Sequence, residues 1–236
     1  MAEIIVALDF PGAREALRMV DRLGDAVARY KVGAELFTRA GPSVVEALHK
    51  REKRVFLDLK YHDIPHTVAG AVRAAAELEV ELLTLHATGG TSMMKAALEA
   101  AGEDGPRLLG VTLLTSFSAS DVEAVWDKEL RSIREEVARV AGIAAEAGLH
   151  GVVASAAEAE VLKRRHGAEF LVVTPGIRPA GGVTGDQVRT ATPAEAVRAG
   201  ADYLVVGRPV IQAKDPVKVV ELMHKEMATA VPEVAG

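Results

Sequence analysis

Eight β-rich runs alternating with helix-periodic segments, most of the runs apolar on both faces, predict that this 236-residue α/β chain folds as a single (β/α)8 barrel of the TIM type. Parallel strands covered by helices outside and by a packed interior inside read as near-continuous apolar runs. Eight βα units in roughly 250 residues is the arithmetic of that barrel. An open doubly wound sheet commonly has fewer strands, and no G-x-G-x-x-G follows the first run. One domain is expected to span residues 1–236.

Taken in order, Ile4–Asp9 is the first strand, and Ala13–Leu23, rich in Ala, Leu and Arg at helical spacing, is the first helix. Ala28–Val32 and Arg54–Lys60 are the second and third strands, with Val44–Arg51 helical between them. Pro65 stands where an N1 proline belongs, ahead of the helical segment Ala69–Leu78. Leu82–Ala87 and Leu108–Thr115 are strands four and five. Phe117–Glu129 exceeds a simple connection, carries the only Trp, and is expected to form a short extra helix before the helix Ile133–Ala147. Gly151–Ser155, Phe170–Pro175 and Tyr203–Gly207 complete the set of strands. After strand seven, Gly176–Thr190 holds four Gly and no apolar period, a composition that fits a mobile lid. Asp215-Pro216 caps the last helix, and the tail from Ala228 is expected to fray. Gly24, Gly102, Gly148, Gly167 and Gly200 follow helical runs, where C-terminal caps belong.

Composition removes several function classes. With 49% hydrophobic and 26% charged residues the chain is neither disordered nor membrane-spanning, since its apolar runs fall far short of the ~20 residues a bilayer requires. Met1 to Phe10 has no basic n-region and no small-residue cleavage site, so a cytoplasmic location is expected. The absence of cysteine excludes disulfides, zinc-thiolate and iron–sulfur sites, and thiol nucleophiles. A net charge of −5 with scattered Lys and Arg argues against nucleic acid as a partner.

Active sites of this architecture lie at the C-terminal ends of the strands. There the first strand ends at Asp9, the second carries Lys31, the third ends with Asp58 and Lys60, the fifth with Thr115 and Ser116, and the eighth with Gly207 and Arg208. Asp58 and Lys60 are two residues apart and so share a face, which looks into the barrel if Leu57 and Leu59 face the helices. A buried Asp–Lys couple costs several kcal/mol unless paired, which makes it a poor accident. Asp63, just before Ile64-Pro65, is read equally well as a helix N-cap or as a site residue. His62, His66 and His86 lie near the same rim and are set aside as packing residues, as are His49, His150, His166 and His224 elsewhere. Gly89-Gly90-Thr91-Ser92 reads as a turn plus a cap, and Asp202 as a residue of the opposite, stability-bearing face. Gly207, Arg208, Arg178, Gly181, Gly182 and Gln187 together read as an anion site, because loops after strands seven and eight commonly hold phosphate.

The run Asp58-Leu59-Lys60-Tyr61-His62-Asp63-Ile64-Pro65-His66-Thr67-Val68 resembles the D-x-K-x-x-D-I-P-x-T-V signature of the orotidine 5'-phosphate decarboxylase family. Thr174-Pro175-Gly176-Ile177-Arg178-Pro179 and Val205-Val206-Gly207-Arg208-Pro209 resemble its strand-seven and strand-eight segments. Ala7-Leu8-Asp9, Lys31-Val32-Gly33 and Leu113-Leu114-Thr115-Ser116 fall in family order. The resemblance implies a reaction without cofactor or metal, from orotidine 5'-phosphate to UMP and carbon dioxide in pyrimidine biosynthesis. It implies that Lys60 protonates C6, that Asp58 sits beside the scissile carboxylate, and that Lys31 and Asp63 complete a charge network. It further implies a homodimer with shared sites, in which Asp63 and Thr67 reach the neighbouring subunit's substrate. Asp9 and Lys31 would hold ribose hydroxyls, Thr115 and Ser116 the uracil side, and Arg178, Gln187, Gly207 and Arg208 the phosphate. A magnesium-dependent 3-keto-L-gulonate 6-phosphate decarboxylase type shares the strand-three run, but it carries Glu where this chain has Lys31, and a cation opposes magnesium there. A nucleotide-binding barrel without turnover would need a broken charge set. A barrel isomerase sharing only the phosphate segment would leave Asp58, Lys60 and Asp63 unexplained.

Overall fold

The computed structural model describes residues 2–127, 129–181 and 190–230. Its strands are β1 (Glu3–Ala7), β2 (Arg29–Gly33), β3 (Arg54–Tyr61), β4 (Leu82–His86), β5 (Arg107–Val111), β6 (Gly151–Val153), β7 (Leu171–Thr174) and β8 (Tyr203–Val206). All pair in parallel in sequence order, and β8 returns to β1 to close an eight-stranded barrel. The strand ends differ from expectation. The last pair of β5 is His86↔Val111, and β8 stops at Val206. Beyond those points the backbone has no paired neighbour, so Thr115, Ser116, Gly207 and Arg208 stand on the connections above the ladder.

The helices are α1 (Ala13–Leu23), α2 (Ala34–Ala40), α3 (Ser43–His49), α4 (Pro65–Ala76), α5 (Thr91–Ala101), α6 (Ala119–Trp126), α7 (Ile133–Ala147), α8 (Ala156–His166), α9 (Pro193–Arg198), α10 (Arg208–Ile211) and α11 (Pro216–Ala228). Their starts are written locally. Ser118, Ser155 and Thr192 close capping boxes, and Asp215 accepts the Lys218 N–H at 3.2 Å, each satisfying donors the helix itself leaves free. The extra helix expected around the only Trp is α6. Two cap assignments are corrected. Ile64 occupies the N-cap of α4, while Asp63 only accepts the Ile64 N–H at 2.6 Å. Gly90 occupies the N-cap of α5 without any side-chain cap, and Thr91 and Ser92 are already the first residues of that helix.

Strand alternation divides the apolar residues into two layers. Ile5, Ala7, Phe56, Leu82, Leu109, Val173, Tyr203 and Val205 fill the barrel interior, while the opposite-parity residues pack against the helices. Below the interior layer an ionic plug closes the barrel. Glu81 accepts from Arg29 at 2.9 Å, Arg107 at 3.1 Å and Arg54 at 3.3 Å, and Arg29 also bonds Glu3. The Arg29 and Arg107 guanidinium groups lie 5.6 and 5.8 Å from the Tyr203 ring centre. Asp202, on the same face, accepts the Val172 N–H at 2.7 Å and pairs with Lys163. Above the interior layer the same parity runs on into Asp9, Lys31, Asp58, Lys60 and Thr84.

Candidate active site

A cleft of about 650 Å³ opens at the C-terminal ends of the strands. Asp9, Lys31, Asp58, Lys60, Thr115, Ser116, Arg178, Gly207 and Arg208 all line it, with the apolar floor supplied by Ala7, Phe56, Val111, Val153, Val173 and Val205. Parallel strands whose inward positions stay in step put these residues, far apart in sequence, at one height.

Four of them form an alternating row. Lys31 Nζ lies 3.1 Å from Asp9 Oδ1 and 3.6 Å from Asp58 Oδ2, and Lys60 Nζ donates to Asp58 Oδ1 at 2.7 Å. Asp58 is the most enclosed of the row, its side chain 12% exposed against 36% for Lys60. Burial alone would push its carboxyl up, but the Lys31 and Lys60 ammonium groups, with hydrogen bonds from Lys60 and Thr84, hold it below the usual carboxylate range. Asp58 therefore stays ionised at neutral pH. It pairs with two cations beside the cleft.

The row depends on irregular backbone. β3 pairs with β4 regularly at Phe56↔Leu82 and Leu57↔Leu83, then resumes only at Tyr61↔Leu85, so four steps on β3 oppose two on β4. Within this bulge Lys60 has φ +51°, the left-handed region. Asp58 and Lys60 do meet, as their spacing suggests, but across a bulge that regular alternation does not foretell. Thr84, fully buried on β4, accepts the Lys60 N–H at 3.0 Å and donates to Asp58 Oδ1 at 3.0 Å.

Two glycines make room for the charges. A Cβ at Gly33 would lie 3.0 Å from Lys31 Nζ, and one at Gly207 would lie 3.2 Å from Asp9 Oδ2. On the β7–β8 side, Arg178, which donates to the Ile177 carbonyl, Gly207 and Arg208, which opens α10, line the same cleft.

The remaining expectations divide. Asp63 and Thr67 are exposed and do not line the cleft within one chain. Gly181 does not line it either, whereas Gly182 and Gln187 lie outside the described residues. Thr84, Gly33 and Gln212 were missed by sequence reasoning, whereas His86, set aside there as a packing residue, does not line the cleft. His86 stacks on His62 with ring centres 5.1 Å apart; burial first, then His62 and Lys60, lower its pKa against a smaller opposing pull from Asp58. Gln212, at the end of α10, lines the cleft near Arg208. Among the described residues no group of three or more His, Asp or Glu is arranged to hold a metal ion.

A (β/α)8 barrel bearing a row of paired lysines and aspartates next to an arginine-rich wall defines an enzyme-like site for an anionic substrate. Residues 2–223 match the family described as orotidine 5'-phosphate decarboxylase / HUMPS, and the chain belongs to that family. Orotidine 5'-phosphate decarboxylase of Halorhodospira halophila is 52% identical over 229 residues, covering 96% of each chain. That of Vibrio campbellii is 50% identical over 230 residues, covering 96% of this chain and 98% of the relative. Among solved structures, the Lactobacillus acidophilus orotidine 5'-phosphate decarboxylase superposes with a TM-score of 0.85 at 37% identity, covering 96% of this chain and 99% of the other.

Proposed function

We infer that the chain is a carboxy-lyase converting orotidine 5'-phosphate and a proton to UMP and carbon dioxide, a step of pyrimidine biosynthesis. The observation that carries the reading is the Asp9–Lys31–Asp58–Lys60 row at one wall of a cleft whose other wall holds Arg178, Gly207 and Arg208. Loss of carbon dioxide from C6 leaves an electron pair on a ring carbon that no neighbouring group can delocalise. A fixed cation must therefore meet that charge as it develops. Lys60 supplies the field and then the proton. Asp58 holds the Lys60 ammonium in place for C6, and its own negative charge stands beside the departing carboxylate. Asp9 and Lys31 hold the ribose hydroxyls, Thr115 and Ser116 the uracil edge, and Arg178, Gln187, Gly207 and Arg208 the phosphate. Phosphate binding remote from C6 organises the charged row, so its energy is realised in the transition state.

In this reading Asp63 and Thr67 act in the cleft of a second copy, which accounts for their exposure in one chain, and the enzyme is a homodimer. The strongly exposed Ile64 between them supports an interface there, being 65% accessible in a single chain. Residues 1–236 work as one domain, and the enzyme is cytoplasmic; among the described residues no helix is long and apolar enough to cross a membrane. Lys31, paired with both Asp9 and Asp58, occupies the place where the magnesium-dependent type carries a carboxylate, so that type is disfavoured.

The test is the ultraviolet absorbance of orotidine 5'-phosphate with purified enzyme and excess EDTA, beside a Lys60→Ala control. Conversion to UMP that persists with EDTA and vanishes in the control is expected. No conversion by the native enzyme would overturn the reading, and magnesium-dependent turnover of a sugar phosphate would reassign the protein to the enediolate chemistry.

A further inference from the structure

Lys60, next to last in β3, is held in a left-handed backbone conformation at φ +51°. A non-glycine residue there is strained and persists only when its surroundings enforce it. At the bulge the β3–β4 ladder is interrupted between Leu57 and Tyr61, which deprives the Lys60 N–H of a strand partner. The group that replaces the lost partner is a side chain. Thr84 Oγ1 accepts that N–H at 3.0 Å while its own proton goes to Asp58 Oδ1, also at 3.0 Å. The same Asp58 oxygen receives the Lys60 ammonium at 2.7 Å. A closed ring results: Lys60 backbone to Thr84 hydroxyl to Asp58 carboxylate to Lys60 side chain. Both ends of the reactive residue are thereby referenced to one oxygen.

We propose that Thr84 is a positioning residue for the decarboxylation, its hydroxyl fixing the bulged backbone of Lys60 and the carboxylate of Asp58 in a single geometry. The inference rests on the functional reading above. Thr84 is fully buried and does not line the cleft, so it acts on the reaction only through Asp58 and Lys60. Its β-branched side chain is restricted at χ1, so the hydroxyl is aimed with little further ordering. Ser would retain both hydrogen bonds with looser aim. Val would retain the shape and lose both, leaving the Lys60 N–H without a partner.

The experiment compares Thr84→Val, Thr84→Ser and Thr84→Cys with the native enzyme, reading kcat and KM for orotidine 5'-phosphate and the Kd of UMP by calorimetry. UMP lacks the carboxylate that the row must meet and reports the rest of the cleft. Thr84→Val is expected to lower kcat by about 10²-fold, the scale of a small misplacement of reacting groups. KM and the UMP Kd should stay within about threefold, and Thr84→Ser should restore kcat to within about threefold. Should Thr84→Val fail to fold, Thr84→Cys, of similar size but a weak hydrogen-bonding partner, is expected to lose about tenfold in kcat with UMP affinity kept. Native-like kcat in the variant that folds, or loss of UMP affinity in proportion to kcat, would show a merely structural threonine and overturn the proposal. Absence of turnover in the native enzyme would remove the functional reading and this inference together, whereas unaffected variants of an active enzyme remove the inference alone.

Discussion

The barrel carries a charged cluster at each end, a plug at the base and an open cleft at the rim, and the two sets are built from different cations. At the base, Glu81 gathers Arg29, Arg54 and Arg107, and two of those guanidinium groups lie over the Tyr203 ring. At the rim, Asp58 gathers Lys31 and Lys60. Guanidinium forks fill several hydrogen bonds in a fixed plane and do not release protons in proteins, so they suit a plug. An ammonium is a compact charge on a movable stem with a proton to give, so it suits a step in which charge develops and is then quenched. Both ends also hold left-handed residues. Glu79 at φ +53° lies in the turn between α4 and β4, where the chain reverses, whereas Lys60 at φ +51° lies inside a strand, held by a side chain from its neighbour.

The largest expected effect comes from moving the chemistry of the base to the rim. Lys60→Arg preserves the positive charge and a partner for Asp58 but loses the dissociable proton and the short reach. Since a positioned acid and a positioned charge are each worth roughly 10² to 10⁴ in rate, kcat is expected to fall by at least ~10³-fold. The thermal midpoint should remain within a few degrees of the native value. Retention of more than a tenth of native kcat would mean that the field of the cation, and not its proton, carries the rate.

Stability should respond in the opposite sense at the base. Glu81→Gln removes the carboxylate shared by three arginines, one of them with a side chain only 9% exposed. Leaving a buried cation short of its partner is strongly destabilising, and with Arg54 and Arg107 still open to water the expected loss is about 2 kcal/mol by urea denaturation. Turnover per folded molecule should not change. A fall in kcat at constant stability would mean that the base communicates with the rim and that the two ends do not act separately.

Much of this division was legible in the sequence because it follows from local pattern. Apolar runs, proline and glycine punctuation and capping residues place the strands and helices, and the barrel's parity then raises Asp9, Lys31, Asp58 and Lys60 to one height. What stayed hidden depends on contacts between distant segments. Asp58-Leu59-Lys60-Tyr61 looks like regular strand, and nothing in it announces a bulge, because the bulge is defined against β4. Thr84, inside an apolar run, reads as an ordinary β-former until its hydroxyl is seen against residues 24 and 26 positions away. The plug is hidden for the same reason, since Arg29 and Glu81 are 52 residues apart. Asp63 and Thr67 are conspicuous as sequence yet stand exposed and away from the cleft of a single chain.

The smallest expected effect sharpens the comparison through protons. His86 at the rim and His150, whose Nδ1 accepts the Leu108 N–H at 3.0 Å at the base, both have lowered pKa values. Burial is the first cause in each; His62 and Lys60 add to it at His86, and Arg107 adds to it at His150. A histidine whose folded pKa is depressed binds fewer protons folded than unfolded. Its contribution is therefore present in full above the unfolded value near 6.5 and is lost as pH falls through the folded value. Asp58, also depressed, obeys the same sign lower down, its contribution persisting until pH falls below the ordinary carboxylate value near 3.8. Urea midpoints should thus decline from pH 7 to pH 5, each histidine contributing at most the slope of one proton, about 1.4 kcal/mol per pH unit. His86→Asn and His150→Asn should each flatten part of that slope. Of the two, only the rim substitution should also change the pH dependence of kcat, because His86 faces Lys60 and Asp58 while His150 faces Arg107 at the opposite end. If both substitutions shift the kcat profile equally, the two ends of the barrel are not electrostatically separate.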